Sequence, residues 1–120
     1  MKIAVTSVGN DLSSEIDPRF GRAKQFILYD TESGEYESVD NRQNVMAAQG
    51  AGIQAAEAIS ELKADVLITG HCGPRAFGAL KAAGVKIIVG ATGTVEEAIE
   101  LFVKGKLGEA QVPDVEGHWV

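Results

Sequence analysis

A single α/β domain built on a mixed sheet is the fold class this sequence predicts, and three observations carry it. Ile3–Val8, Val66–Thr69 and Val85–Val89 are short, apolar and rich in β-branched residues, the pattern of strands buried on both faces. Helical stripes follow strands three, four and five, as right-handed parallel crossovers require. Between the first and fourth strands lies a pair, Gln25–Asp30 and Glu35–Val39, joined by the turn-like Thr31-Glu32-Ser33-Gly34, which reads as a hairpin. The order is β-β-β-α-β-α-β-α. It predicts five strands in spatial order 3-2-1-4-5, with strands one, four and five parallel and strand two antiparallel between one and three.

Taken in turn, the first strand ends at Gly9-Asn10, and residues 10–23 read as a polar loop before the hairpin. The five acids between Asp30 and Asp40 read as a solvated hairpin face rather than a metal site. From Gly52 to Leu62, the residues Ile53, Ala56, Ile59 and Leu62 form a narrow apolar stripe for a helix lying on the sheet. After the fourth strand, Gly70-His71-Cys72-Gly73 leads into a helix with Pro74 in its first turn, Phe77 and Leu80 inward, and Gly84 beyond its end. The last helix has Thr94 as N-cap and Glu97 three residues on, a capping box, with Val95, Ala98, Ile99 and Phe102 buried and Gly105 as its stop. The domain is expected to span 1–108. Residues 109–120 then form a tail, mobile from Val112, in which His118 and Trp119 play no part in the site.

Composition narrows the function. With 120 residues, 45% of them hydrophobic and 23% charged, the chain has the make-up of one ordinary globular domain. Its 11 basic and 17 acidic side chains leave a net charge of −6, the wrong sign for a general binder of nucleic acid or anionic membrane. Met1-Lys2-Ile3 runs straight into a strand without a signal-peptide core, and no apolar run is long enough to span a bilayer, so a cytoplasmic location is expected. The single cysteine, Cys72, precludes an internal disulfide and any two-cysteine metal motif.

The topology then sorts the loops. Those after strands one, three, four and five, and the one before strand two, share one edge, where open α/β sheets bind ligands. All four arginines, Arg19, Arg22, Arg42 and Arg75, fall on that upper edge, as do Gly50, Gly70, Gly73, Thr92 and the starts of three helices. Lys2, Lys63, Lys86, Lys104 and Lys106 go to the opposite edge. The fixed donor fork of arginine suits planar or multi-oxygen anions, and helix N-termini add exposed N–H groups. A compact anion is the expected ligand.

Single motifs say less. Gly50-Ala51-Gly52-Ile53-Gln54-Ala55 satisfies G-x-G-x-x-A, yet it does not follow a first βαβ strand and no acid stands about twenty residues on, so a dinucleotide site is set aside. Cys72 beside a helix start and Arg75 is a candidate soft-metal ligand or nucleophile, weighed against a small buried core thiol. His71 and Cys72, neighbours on an extended loop, point in different directions, which disfavours a base–nucleophile pair. One Cys and one His do not close a zinc site, but they could hold a preassembled cluster by one or two points. The topology also resembles the ribonuclease H-like fold, whose nucleases gather carboxylates for two metals; the first strand here, Ile3-Ala4-Val5-Thr6-Ser7, has none.

Asp17-Pro18-Arg19-Phe20-Gly21-Arg22-Ala23 with Phe26-Ile27-Leu28-Tyr29-Asp30, then Val66-Leu67-Ile68-Thr69-Gly70 with Gly73-Pro74 and Phe77, then Thr94-Val95-Glu96-Glu97-Ala98-Ile99, form a combination. Together they resemble the nitrogenase iron-molybdenum cofactor biosynthesis and carrier family over nearly the whole chain. The resemblance implies a ribonuclease H-like fold without nuclease activity and a non-catalytic carrier of the iron-molybdenum cofactor, its precursors or a related metal-sulfur cluster, with donor and acceptor proteins as partners. Its candidate contacts are Arg19, Phe20, Arg22, Arg42, Gly73, Arg75 and Thr92, with Cys72 and His71 as candidate metal ligands. Arg19 stands where the carriers commonly have His, so a metal-binding nitrogen is exchanged for a cation. The alternatives are a phosphate- or nucleotide-binding regulatory module and a Cys72-dependent enzyme.

Overall fold

In the computed structural model, which describes residues 1–45 and 50–113, the sheet has the expected order β3-β2-β1-β4-β5. Its strands are β1 (Lys2–Ser7), β2 (Gln25–Asp30), β3 (Tyr36–Asp40), β4 (Val66–Ile68) and β5 (Lys86–Ile88). β2 runs antiparallel to both β1 and β3, whereas β4 is parallel to β1 and β5 to β4. The helices are a short α1 (Arg42–Val45), then α2 (Ala51–Glu61), α3 (Pro74–Ala82) and α4 (Val95–Val103).

Strand alternation divides the core in two. Ala4, Phe26, Leu28, Leu67 and Ile87 pack with residues of α2 and α3 on one face, including Ala55, Ile59, Phe77 and Leu80. Ile3, Val5, Ile27, Val66, Ile68 and Ile88 pack with Val95, Ala98 and Ile99 of α4 on the other. Side chains alternate across a strand, so a continuous apolar run supplies both faces at once. The sheet is therefore the middle of three layers. It is closed on the β5 side by Ala110, whose N–H donates to the Ile87 carbonyl at 2.7 Å. The first part of the expected tail thus lies along the sheet; His118 and Trp119 fall outside the described residues.

Three details differ from the sequence reading. The buried face of α2 is Ala51, Gly52, Ala55, Ala56 and Ile59, with Ile53 and Leu62 only half-buried. Steps of three residues rotate steadily off a 3.6-residue face, and it is the small side chains that face the sheet and α3. Likewise Phe102 of α4 is only half-buried. Residues 10–23 are also more than a polar loop. They include a single 3-10 turn, Phe20–Arg22, and they send Ile16 into one core and Phe20 and Ala23 into the other.

Candidate functional site

Above the sheet, the segment from 8 to 23 is fastened by backbone pairing to the end of β1 and to two other loops. Ser7 bridges Ile16, Glu15 bridges Thr94, and Arg19 bridges His71 in parallel fashion. The N–H of Ile16 donates to Gly93 O at 3.0 Å, that of Asp17 to Thr6 O at 3.0 Å, and that of Phe20 to His71 O at 3.1 Å. The upper edge is thus a stitched surface in which the loops after β1, β4 and β5 are joined by backbone hydrogen bonds.

Two features make this close approach possible. A Cβ on Gly70 would lie 2.7 Å from both Cα and O of Pro18, so only glycine lets these two backbones meet. Beneath them the buried Thr6 hydroxyl lies 2.8 Å from the Asp17 carbonyl oxygen and 2.9 Å from Thr69 Oγ1. A hydroxyl has one proton and a carbonyl has none, so Thr6 donates to Asp17 and Thr69 donates to Thr6. At the far end, buried Asn41 does similar work: its Nδ2 donates to Ala23 O at 2.7 Å and its Oδ1 accepts from Asn44 Nδ2 at 2.6 Å. None of these four positions was singled out as a site residue from sequence. A glycine or threonine at a strand end is ordinary, and its role shows only once the opposing loop is in place.

The expected site residues separate into three groups. Arg19, His71, Arg75 and Thr92 are exposed on the upper edge, and the bridge sets Arg19 beside His71. Arg22, half-buried, ends the 3-10 turn next to them. Phe20 and Cys72 face the other way. Each is 1% exposed in the α2/α3 core, with the Phe20 ring 5.9 Å from that of Phe26, and Gly73 is buried as well. Phe20 therefore anchors Arg19 from below rather than touching a solvent-borne ligand, and the Cys72 thiol reaches such a ligand only if the 70–73 loop turns outward. The small, apolar character of a thiol accounts for this placement.

Arg42 is engaged locally. Its Nε lies 3.1 and 3.2 Å from the two carboxylate oxygens of Asp40, and its Nη2 lies 2.9 Å from Oδ2, a fork-on-carboxylate pair at the surface. The hydrogen bonds from Arg42 hold the Asp40 carboxyl below its usual range and hold the guanidinium above its own. An anion at Arg42 must compete with this carboxylate.

The helix N-termini are not equivalent either. At α4 the box is complete: Thr94 Oγ1 accepts from Glu97 N–H at 3.2 Å, and Glu97 Oε1 accepts from Thr94 N–H at 2.9 Å. Val95 and Glu96 N–H groups donate to Ser14 O and Leu12 O, both at 2.9 Å. This end is consumed internally, contrary to the expectation that it would add exposed donors. The N-caps of α2 and α3, Gly50 and Gly73, bring no side-chain cap. Among the described residues no group of three or more His, Cys, Asp or Glu is assembled to chelate a bare metal ion, and no helix is long and apolar enough to cross a membrane.

Comparison with known proteins agrees with this architecture. The orange protein of Desulfovibrio gigas, solved in its apo form, is 41% identical and superposes with a TM-score of 0.93 over 95% of this chain and 96% of its own. A Thermotoga protein described as NifB-like, of the DUF35 family, is 43% identical with a TM-score of 0.83, covering 97% and 98% of the two chains. An uncharacterized protein of Methanocaldococcus jannaschii is 31% identical over 109 residues, 89% of each chain. The family model for the dinitrogenase iron-molybdenum cofactor matches residues 1–105, and the chain belongs to that family.

Proposed function

We propose that this protein is a non-catalytic carrier whose upper edge takes up a preassembled, anionic metal-sulfur cluster, of the iron-molybdenum cofactor or thiomolybdate type, and hands it between donor and acceptor proteins. Family membership supports cofactor binding, and a relative solved in an apo form has by that word a loaded counterpart. The observation that carries the reading is the parallel bridge setting exposed Arg19 beside exposed His71, on loops joined by the Phe20 N–H to His71 O hydrogen bond. A cation and an imidazole side by side offer charge to the outer sulfur or oxygen surface of a cluster and one nitrogen to a metal. Recognition through the outer surface of the cargo suits a chain that assembles no three-residue chelate among its described residues. A strand β1 without carboxylates supports the absence of a two-metal nuclease centre.

The test is anaerobic titration with tetrathiomolybdate and with extracted iron-molybdenum cofactor, followed by visible absorption. Well-formed charge-assisted contacts are worth about 1.5–3 kcal/mol, so Arg19→Ala should weaken binding about tenfold or more. Cys72→Ala separates two modes: a changed spectrum assigns the thiol as a ligand reached by loop movement, and an unchanged one assigns capture to the exposed groups. A wild-type protein that takes up neither probe overturns the carrier reading, and colourless binding of phosphate or a nucleotide at the same arginines would put a regulatory module in its place.

A further inference from the structure

The outer edge of the sheet at β3 has a chemistry that the upper-edge site does not use. In the β2–β3 ladder Asp30 N–H donates to Glu35 O at 2.9 Å, and Asn41 N–H donates to Lys24 O at 2.8 Å. With the register Tyr29↔Tyr36 to Gln25↔Asp40, these bonds fix which residues of β3 turn their backbone groups inward. Hydrogen-bonded pairs alternate along an antiparallel ladder, so Glu37 and Val39 face β2 while Tyr36, Ser38 and Asp40 present N–H and C=O outward. Among the described residues no strand pairs with this row; only the Asp40 carbonyl has a partner, accepting from Gln43 Nε2 at 3.5 Å, and the Tyr36 and Ser38 groups form a template for strand addition.

The charged side chains of β3 and of the residue before it, Glu35, Glu37 and Asp40, are all acidic. Glu35 and Glu37 lie on the same face as Leu28, because residues opposite each other across a ladder share a face. There they rim a hollow of about 240 Å³ with Leu28, Asp30 and Lys2 among its walls. An apolar floor under a carboxylate rim suits a lysine or arginine side chain, whose stem can lie on the floor while its head meets the rim. In an added strand the residues opposite Glu35 and Glu37 fall at the non-hydrogen-bonded positions, where side chains approach most closely, and they are two residues apart.

We propose that the β3 edge docks an extended, basic segment of another protein, with Lys or Arg at positions i and i+2 meeting Glu37 and Glu35. A second copy of this chain fits poorly: pairing β3 with itself brings together two hairpins that each carry five acids between Asp30 and Asp40. The proposal does not depend on the identity of the cargo at the upper edge. It gives the carrier a docking surface on the flank of the sheet, separate from the Arg19–His71 loops.

The probe is a capped eight-residue peptide alternating Lys with Thr and Val, titrated into ¹⁵N-labelled full chain. A Glu-for-Lys version and a Pro-interrupted version with the same charge serve as comparisons. Tyr36 and Ser38 amides should shift and gain protection from hydrogen exchange with the Lys peptide alone. The double variant Glu35→Lys/Glu37→Lys should lose about tenfold or more in affinity for it and prefer the Glu peptide. Ser38→Pro, which removes one outward N–H at a position where edge strands tolerate proline, should weaken binding with the far-UV spectrum unchanged. The proposal is overturned by absence of shifts at Tyr36 and Ser38 at millimolar peptide. It is equally overturned by equal response to the Pro-interrupted peptide, by shifts confined to the arginine loops, or by concentration-dependent self-pairing at β3 without peptide.

Discussion

Replacing Gly70 by alanine should cost far more than its small size suggests. The added Cβ would sit 2.7 Å from Pro18 Cα and from Pro18 O, where ordinary contact begins at 3.4 Å, so the two loops must part by about 0.7 Å. Both obstructing atoms are backbone, and no flexible side chain can yield. The neighbouring Phe20 N–H···O His71 bond, already 3.1 Å, breaks under such a displacement. Forcing one methyl into a filled space costs about 1–3 kcal/mol and one lost backbone bond adds about 1, so about 2–4 kcal/mol is expected. Urea unfolding measures it, with the slope against denaturant unchanged. Gly90→Ala is the control. Gly90 has φ +78° with nothing within 4 Å of its added Cβ, so it should show only the left-handed backbone penalty of about 1–2 kcal/mol. Gly70 carries no such positive φ, and its effect is steric. If Gly70→Ala unfolds within about 0.5 kcal/mol of wild type, the ordinary scatter of a neutral surface substitution, the loops are not in contact and the stitched site falls with them.

The hydroxyl relay predicts an asymmetry: Thr6→Val leaves both the Asp17 carbonyl and the Thr69 hydroxyl without their partner and should cost about 1–3 kcal/mol, whereas Thr69→Val removes only a donor to Thr6 and should cost less, both read by thermal unfolding. Thr94→Ala should lower stability by about 1 kcal/mol through loss of the α4 cap, measured in the same way. The Thr94 backbone N–H, and secondarily its side chain, holds the Glu97 carboxyl below its usual range, and Arg42 does the same for Asp40. Their stabilising contributions are complete above the ordinary carboxyl range of about 4 and fade as pH falls through the depressed values. Carboxyl NMR titration should find both groups among the last to protonate, and Arg42→Ala should return Asp40 toward the usual range. Finally, Arg42→Ala should weaken thiomolybdate uptake less than Arg19→Ala does, because its guanidinium is already engaged by Asp40; equal losses would refute that ordering.

The sheet was legible in the sequence because each strand announces its own burial: a run such as Val66-Leu67-Ile68 has no polar position to expose, and Thr94 with Glu97 carries its cap within four residues. The order 3-2-1-4-5 then followed from a hairpin and right-handed crossovers, which leave little freedom. Contacts between distant loops were not legible. That Gly70 needs its hydrogen because Pro18 lies against it, or that Cys72 turns into the core while His71 turns out, depends on tertiary approach and leaves no periodic trace. The α2 stripe failed for a related reason: large residues at Ile53 and Leu62 drew attention from the alanines that permit close helix packing. Upper-edge placement of the arginines, by contrast, required only topology.

The stitching of the 8–23 segment also sets the order in which the molecule can be assembled. β1, β2 and β3 form a meander of neighbouring strands whose mutual pairing lies within the first forty or so residues. The segment above them finds its partners at His71, Gly93 and Thr94, late in the chain. Contacts between residues so far apart form slowly, and during synthesis those with Gly93 and Thr94 wait for the C-terminal third to emerge. The upper-edge pairings are thus complete only once Gly93 and Thr94 have been made, later even than β5 at Lys86–Ile88, so a chain truncated before them leaves the 8–23 segment without its partners there.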